Sequence, residues 1–333
     1  MEGYNLSSIS PEAVKETLPL VYDGFEDVKI SLLKYSENLT YLLEKDRKYV
    51  LRIYRPGYHD PEELYGEVLW QARLKEDTDI RLAAVICGKD RQLIQTVTIG
   101  GDSYHLALFE FVPGKALRNL SKDELYYYME KIGEITAKLH NHVLRWKESS
   151  KLKRFTWNYE DLAGPASRWG DYTEMKTLTE EESTCYAQAL KIIEKRLINY
   201  GKGEDRYGLI HSDLNINNIL VDGDDIYVLD FDDCGFGWFM YDISTSVLEY
   251  FDETLERCLD SLLTGYEKYR PLSKSDKEEL ETFIVLRKIV RVGWIATHMD
   301  NDTVKKVDPD YYRKTADLAL VYCKKMNSFN GGV

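Results

Sequence analysis

Apolar and polar positions are patterned differently in the first third of the chain and in the remainder. Up to about Val112 the apolar residues fall in short strand-like runs: Val28 to Lys34, Leu39 to Glu44, Tyr49 to Tyr54, Leu93 to Ile99 and Tyr104 to Val112. Gly100-Gly101 joins the last two as a turn. Beyond Pro113-Gly114 the pattern becomes largely helical, with helices expected near Asp252 to Gly265, Lys274 to Met299 and Pro309 to Met326. This predicts an α+β protein with a small sheet-rich lobe over residues 1–112 and a larger helical lobe over 113–333, connected near Phe109 to Gly114. A cleft between two such lobes is a natural place for a nucleotide.

One helix is announced inside the small lobe. Asp60-Pro61-Glu62-Glu63 supplies a capping acid, a proline at the first helical position and a glutamate three residues after the cap. The helix is expected to run to about Lys75, with Leu64, Val68 and Ala72 on its buried stripe. Glu67 lies beside that stripe, where its carboxylate can reach a cation on the preceding strand, and Arg52 is the expected partner.

The densest chemistry lies between residues 211 and 233. His211-Ser-Asp213-Leu-Asn-Ile-Asn-Asn218 is followed, after a short turn, by Leu229-Asp230-Phe231-Asp232-Asp233. An Asp, an Asn five residues later and a second Asp beyond a hairpin are the three oxygen-bearing groups that kinase-type phosphoryl transfer uses. Asp213 suits a base that accepts a hydrogen bond from an alcohol, whereas Asn218 and Asp230 suit Mg²⁺, which favours a few oxygen ligands completed by phosphate and water. Three apolar runs, Leu209-Ile210, Ile219 to Val221 and Ile226 to Leu229, frame these groups. With Asp222 to Asp225 as the turn, antiparallel pairing is expected to bring Asn218 and Asp230 side by side. A calcium loop fits less well, because Cys234 stands where another oxygen ligand is needed.

Composition narrows the function classes. The 333 residues, 44% hydrophobic, suffice for two separate cores, and a net charge of −13 opposes binding to nucleic acid while remaining compatible with a cationic substrate. The five cysteines are widely spaced and contain no C-x-x-C pair, which argues against disulfide frameworks and zinc. No apolar run of membrane-spanning length and no leader pattern is found, so a cytoplasmic protein, monomeric or homodimeric, is expected.

The chain resembles the aminoglycoside phosphotransferase and choline kinase-like superfamily, which includes homoserine kinases of the second type and the bacterial stress-response protein kinase. The likeness spans nearly the whole sequence. It rests on Tyr49-Val-Leu-Arg-Ile-Tyr-Arg-Pro56, Phe109-Glu-Phe-Val-Pro-Gly114, Ile132-Gly-Glu-Ile-Thr-Ala-Lys-Leu-His140, the loop from His211 to Asn218, and Leu229 to Gly237 followed by Tyr241-Asp242. The resemblance implies a two-lobed, protein-kinase-like fold and Mg²⁺-dependent transfer of the γ-phosphate of ATP or GTP to a small-molecule hydroxyl. The acceptor would be aminoglycoside-like or another amine or amino-alcohol. It implies Asp213 as catalytic base, Asn218 and Asp230 as metal ligands, and Glu67 as the acid orienting a phosphate-binding cation. His211 would brace the catalytic loop and Asp242 would anchor it. Backbone groups from Glu110 to Val112 would meet adenine, and the turn Ser36-Glu37-Asn38 would cover the phosphates.

Two features depart from that pattern. Arg52 occupies the position usually held by lysine, and the phosphate-covering turn lacks a G-x-G-x-x-G, a lack that is usual for this superfamily but leaves the phosphate contacts unassigned. A protein Ser/Thr kinase and a non-catalytic nucleotide-binding protein are the competing readings. The cluster Glu249-Tyr-Phe-Asp252 suits an amine or sugar and equally suits a helix packing its rings and solvating its acids. The Trp-bearing segment from Phe155 to Gly170 is a docking clasp, a substrate rim or simple packing.

Overall fold

A computed structural model describes residues 6, 9–35, 38–301 and 304–330. The chain folds as two compact units, each assembled from three stretches of sequence. The first contains Met1–Leu117, Glu148–Arg154 and Ile219–Asp232; the second contains Arg118–Lys147, Phe155–Asn218 and Asp233–Val333.

The first unit holds helix α1 (Pro11–Val21), strands β1 (Lys29–Tyr35), β2 (Leu39–Glu44) and β3 (Lys48–Ile53), and helix α2 (Pro61–Asp77). Strands β4 (Arg81–Leu82), β5 (Val85–Ile86), β6 (Gln95–Ile99), β7 (Asp102–Glu110) and β8 (Lys115–Ala116) follow. The expected runs became β1, β2, β3, β6 and β7, which form an antiparallel sheet in the order β1-β2-β3-β7-β5 with β6 also on β7. Strict alternation along β2 turns Leu39, Tyr41 and Leu43 into a core shared with Leu51, Ile53, Leu106 and Leu108. Helix α1 closes that core with Val14 and Leu18, capped by Ser10.

Helix α2 starts as its sequence predicts: Asp60 and Glu63 form a reciprocal capping box ahead of Pro61. It buries more than the expected stripe. Leu64, Glu67, Val68, Trp70, Gln71 and Leu74 are all enclosed, and Ala72 is only half-buried.

The second unit begins with helix α3 (Lys122–Arg145), strand β9 (Thr156–Trp157), and helices α4 (Tyr159–Ala163) and α5 (Glu180–Tyr200). It includes strand β10 (Tyr207–Ile210). The chain then returns to the first unit for strands β11 (Ile219–Asp222) and β12 (Asp225–Val228), before strand β13 (Gly235–Trp238) and helices α6 (Phe239–Ser246), α7 (Asp252–Glu267), α8 (Lys274–Thr297) and α9 (Tyr311–Asn330). Helices α3 and α7 touch backbone to backbone where each carries a glycine. A Cβ on Gly133 would lie 1.9 Å from the Leu262 carbonyl oxygen, and one on Gly265 would lie 1.9 Å from that of Glu130. Among the described residues no helix is long and apolar enough to cross a membrane.

The anticipated hairpin is present as β11 and β12, paired from Ile219↔Val228 to Asp222↔Asp225 around Gly223. Within the first unit it lies in a four-stranded sheet, β4-β12-β11-β8. Its two-residue outer strands, like β5, β9 and α1, were not anticipated. Two residues are too few to show a period, and such strands form only because a longer partner offers a free edge.

Candidate active site

In the first unit, strand β3 places Arg52 opposite Thr40 on one side and Ala107 on the other, and α2 presents Glu67 to it. Arg52 Nη1 donates to Glu67 Oε1 at 3.2 Å, and Nη2 donates to Asp230 Oδ1 at 3.3 Å. The expected Arg52–Glu67 pair is therefore formed, and Asp230 joins it. Burial pushes the Glu67 carboxyl up to about 7, although Arg52 opposes the shift. Burial also works against the Arg52 charge, but Asp230 and Glu67 more than offset it and hold the guanidinium charged.

Asp230 follows β12 in a left-handed conformation, φ +59°, which a non-glycine residue adopts only where its surroundings impose it. Next in the same loop, Asp232 accepts from Asn38 Nδ2 at 3.0 Å, and its backbone carbonyl accepts from Arg154 Nη2 at 2.5 Å. Burial raises the Asp232 carboxyl pKa despite Arg52. Asn38 also accepts from the Arg55 N–H at 2.9 Å, so its side chain ties the β1–β2 turn to the loop after β12. Ser36 and Glu37 lie outside the described residues. Glu110 ends β7 with its N–H bonded to the Ala84 carbonyl, and Val112 lies beyond the strand, outside regular secondary structure.

In the second unit, β10 delivers His211, Ser212 and Asp213. The buried Asp242 at the start of α6 accepts the His211 N–H at 3.1 Å and the Ser212 N–H at 2.6 Å. His140 Nε2 donates to the same carboxylate at 3.1 Å while its Nδ1 accepts from the Tyr266 hydroxyl at 2.9 Å, which assigns the tautomer. Burial alone would raise the Asp242 pKa; the bonds from His140 and the Ser212 backbone pull it below the ordinary value instead. Burial lowers that of His140, so a neutral ring faces an ionised carboxylate. Ser212 itself is left-handed, φ +70°.

Asp213 is held by its own loop. Asn218 Nδ2 donates to Asp213 Oδ2 at 2.6 Å and to its backbone oxygen at 2.8 Å, while Asn215 Nδ2 reaches Oδ1 at 3.2 Å. The His211 ring meets the Asp213 N–H through Nδ1 at 3.3 Å. From α8, Arg287 Nη2 stands 3.7 Å from Asp213 Oδ1. The side chain of Asp213 is 29% exposed, whereas that of Arg287 is 2% exposed. The Asp213 carboxylate is thus oriented, charge-balanced and open on one side.

His140, Arg154, Asp232 and Arg287 belong to these clusters without having been singled out as site residues. His140 closes the segment from Ile132 on which the resemblance partly rests, which is the signal available for it. Arg287 sits in a run of buried residues on α8 and gave none. The cluster at Glu249 to Asp252 is engaged by α8. Arg291 donates to Glu249 at 2.9 Å, and Lys288 donates to the Leu248 and Tyr250 carbonyls while lying over the Phe251 ring. Burial lowers Lys288 to about 7. Of the two tryptophans in the 155–170 segment, Trp157 is fully buried and donates to the Asp233 carbonyl. Trp169 contacts both Trp157 and Arg287: the two indole rings are tilted by 50° with centroids 4.5 Å apart, and the Arg287 guanidinium carbon lies 4.7 Å from the Trp169 centroid.

A strand-borne cation paired to a helix acid, a D-x-x-x-x-N loop and an aspartate beyond a hairpin are the parts of a protein-kinase-like phosphotransferase. A family model described as phosphotransferase enzyme family (APH) matches residues 32–279, and the chain belongs to that family. Amicoumacin kinase of Bacillus subtilis (strain 168) is 26% identical over 294 residues, covering 84% of both chains. Among solved structures, a microcompartment-associated aminopropanol kinase is 31% identical, covers 97% of this chain and 99% of its own, and superposes with a TM-score of 0.78. Choline kinase from Cryptosporidium parvum Iowa II shares the fold, with a TM-score of 0.62 at 13% identity over 97% of each chain. The chain is accordingly a small-molecule kinase that phosphorylates a hydroxyl group.

Proposed function

We propose that this enzyme transfers the γ-phosphate of ATP or GTP, with Mg²⁺, to the hydroxyl of a small amino-alcohol or related amine. The observation that carries the reading is Asp213, whose two carboxylate oxygens are held by Asn218 and Asn215. So held, the carboxylate accepts the hydrogen bond of an incoming alcohol, aims its oxygen at phosphorus and takes the proton late in the transfer. The amino-alcohol class is supported by the 31% identity to an aminopropanol kinase across nearly the full chain.

Asn218 and Asp230 are the residues that would hold Mg²⁺ in this reading. Asn218 commits its amide nitrogen to Asp213, which turns the amide oxygen, a neutral ligand, to the opposite side. Asp230 supplies an anionic oxygen and is 35% exposed, and such a small set leaves positions for phosphate and water. When bound, the ion neutralises charge on the phosphate oxygens. Arg52, fixed by Glu67, is the phosphate-binding cation of this reading. The arginine keeps the ion pair that the usual lysine would make, which supports catalysis with arginine at this position. Adenine is assigned to the backbone of Glu110 to Val112, and the phosphates are assigned to the turn at Ser36 to Asn38.

Asp213→Ala is expected to lower turnover by about 10²–10⁴-fold while nucleotide affinity is retained. ADP release and mass spectrometry over a panel of amino-alcohols, with proteins as a separate acceptor set, provide the assay. Full turnover in the variant removes the role of Asp213, and phosphoprotein without any phosphorylated metabolite overturns the small-molecule reading.

A further inference from the structure

Arg287 and Tyr241 are two buried donors in the second unit with bonding capacity left over. Arg287 Nε donates to Thr245 Oγ1 at 3.0 Å, and Nη2 lies near Asp213. Its Nη1 finds no hydrogen-bond partner among the described residues. The guanidinium carbon lies 4.7 Å from the centre of the Trp169 ring and 5.7 Å from that of Tyr241. Tyr241 is fully buried, and its hydroxyl is likewise without a partner. Burial, opposed by Arg287, raises the pKa of that phenol and keeps it a proton donor. A buried donor left unpaired is costly, and these two belong to neighbouring side chains, of which Arg287 also stands 3.7 Å from Asp213, so one acceptor ligand would serve both.

The chemistry of that ligand follows from the groups. A guanidinium N–H only donates and a protonated phenol donates well, so the matching atom is an acceptor oxygen. An ammonium placed there would meet the Arg287 charge. A carboxylate would meet the field of Asp213 and Asp233, both of which act on Tyr241. We propose that Arg287 Nη1 and the Tyr241 hydroxyl bind a neutral oxygen of the acceptor, a hydroxyl or amide carbonyl adjacent to the hydroxyl that Asp213 engages. The enzyme then selects alcohols carrying a second oxygen beside the reacting one. This rests on Asp213 as the base.

The test uses matched pairs of alcohols with and without the neighbouring oxygen, such as an aminopropanediol against the corresponding aminopropanol, with kcat/KM measured for each. The wild-type enzyme is expected to prefer the oxygen-bearing member by about 10–100-fold, the discrimination a buried donor gives when a substrate oxygen is missing. In Tyr241→Phe and Arg287→Met that ratio collapses towards one, chiefly through a raised KM for the oxygen-bearing member. Tyr241→Phe is decisive even if Arg287→Met fails to fold: its hydroxyl has no bond to lose, so a purely structural role predicts an unchanged ratio. Survival of the ratio in Tyr241→Phe, preference for the member lacking the oxygen, or turnover of no oxygen-bearing member overturns the proposal. Asp213→Ala, run alongside, separates that failure from failure of the phosphoryl-transfer reading, because only the latter leaves the alanine variant fully active.

Discussion

Replacing Asp242 with asparagine tests how far the loop from His211 to Asn218, the catalytic loop of the proposed function, depends on one buried carboxylate. Asp242 Oδ2 accepts the His211 N–H and His140 Nε2, both at 3.1 Å, and Oδ1 accepts the Ser212 N–H at 2.6 Å. An asparagine keeps one acceptor oxygen and turns an amide NH₂ towards a donor in either orientation. At least one charge-assisted bond is lost, at ~1.5–3 kcal/mol, and a buried N–H is left unsatisfied, at ~1–3 kcal/mol. The sum, roughly 2.5–6 kcal/mol, corresponds to a fall in Tm of roughly 5–24 °C for a unit of this size. Turnover should drop by about 100-fold, because the carboxylate of Asp213 is two residues from the broken anchor and small displacements of a base are expensive. KM for the nucleotide should change little, since Arg52 and Glu67 belong to the other unit.

The pH dependence carries its own sign. The folded-state pKa of Asp242 is depressed, so its contribution is fully present above the ordinary value of 3.8 and is lost only as pH falls through the lower folded value. The gap between wild type and variant is therefore constant across neutral pH and closes in acid. Calorimetry and steady-state kinetics measure both effects. A Tm within about 2 °C of wild type together with turnover within about twofold would refute the anchoring role.

Two other substitutions probe different parts of the molecule. The Glu67 carboxyl is raised by burial to about 7, so the folded protein holds a proton that the unfolded chain has released, and stability falls as pH rises from about 4.5 to 7. Glu67→Gln should flatten that slope in denaturant titrations and, at pH 8, raise the nucleotide KM about tenfold through a less constrained Arg52; an unchanged slope would show that the carboxyl is not the titrating group. Gly265→Ala should lower Tm by several degrees, because a Cβ 1.9 Å from the Glu130 carbonyl oxygen forces α3 and α7 apart at ~1–3 kcal/mol, outweighing a helix-propensity gain of ~1 kcal/mol. A stabilised alanine variant would mean the crossing relaxes freely.

Much of this was legible along the chain because the informative residues carry local signatures. The β2 and β6 runs alternate, the start of α2 spells its own capping box, and Asp213, Asn218 and Asp230 stand at fixed offsets around a hairpin with its turn marked. Even the Arg52–Glu67 pair could be read, since strand followed by helix brings those two positions to one place. Other groups depend on distant parts of the chain. Arg287 reaches Asp213 from 74 positions later in the sequence, and His140 reaches Asp242 across 102, on helices whose buried stripes look like ordinary core. The resemblance places Asn38 in a phosphate-covering turn, yet its side chain donates to Asp232, 194 positions away. Contacts of such separation leave no mark on local periodicity.

Helix α8 meets the 155–170 segment with almost no side chain between them: a Cβ on Gly293 would lie 2.4 Å from the Gly170 carbonyl oxygen, and the Thr297 hydroxyl bonds the Trp169 carbonyl. That contact fixes the indole lying against Arg287. A single methyl at position 293 would push the segment outwards and shift Trp169 without altering any group that handles the proton. Under the proposed function, acceptor preference would then shift with helix spacing while the loop from His211 to Asn218 keeps its geometry, which places selectivity and chemistry on separate elements.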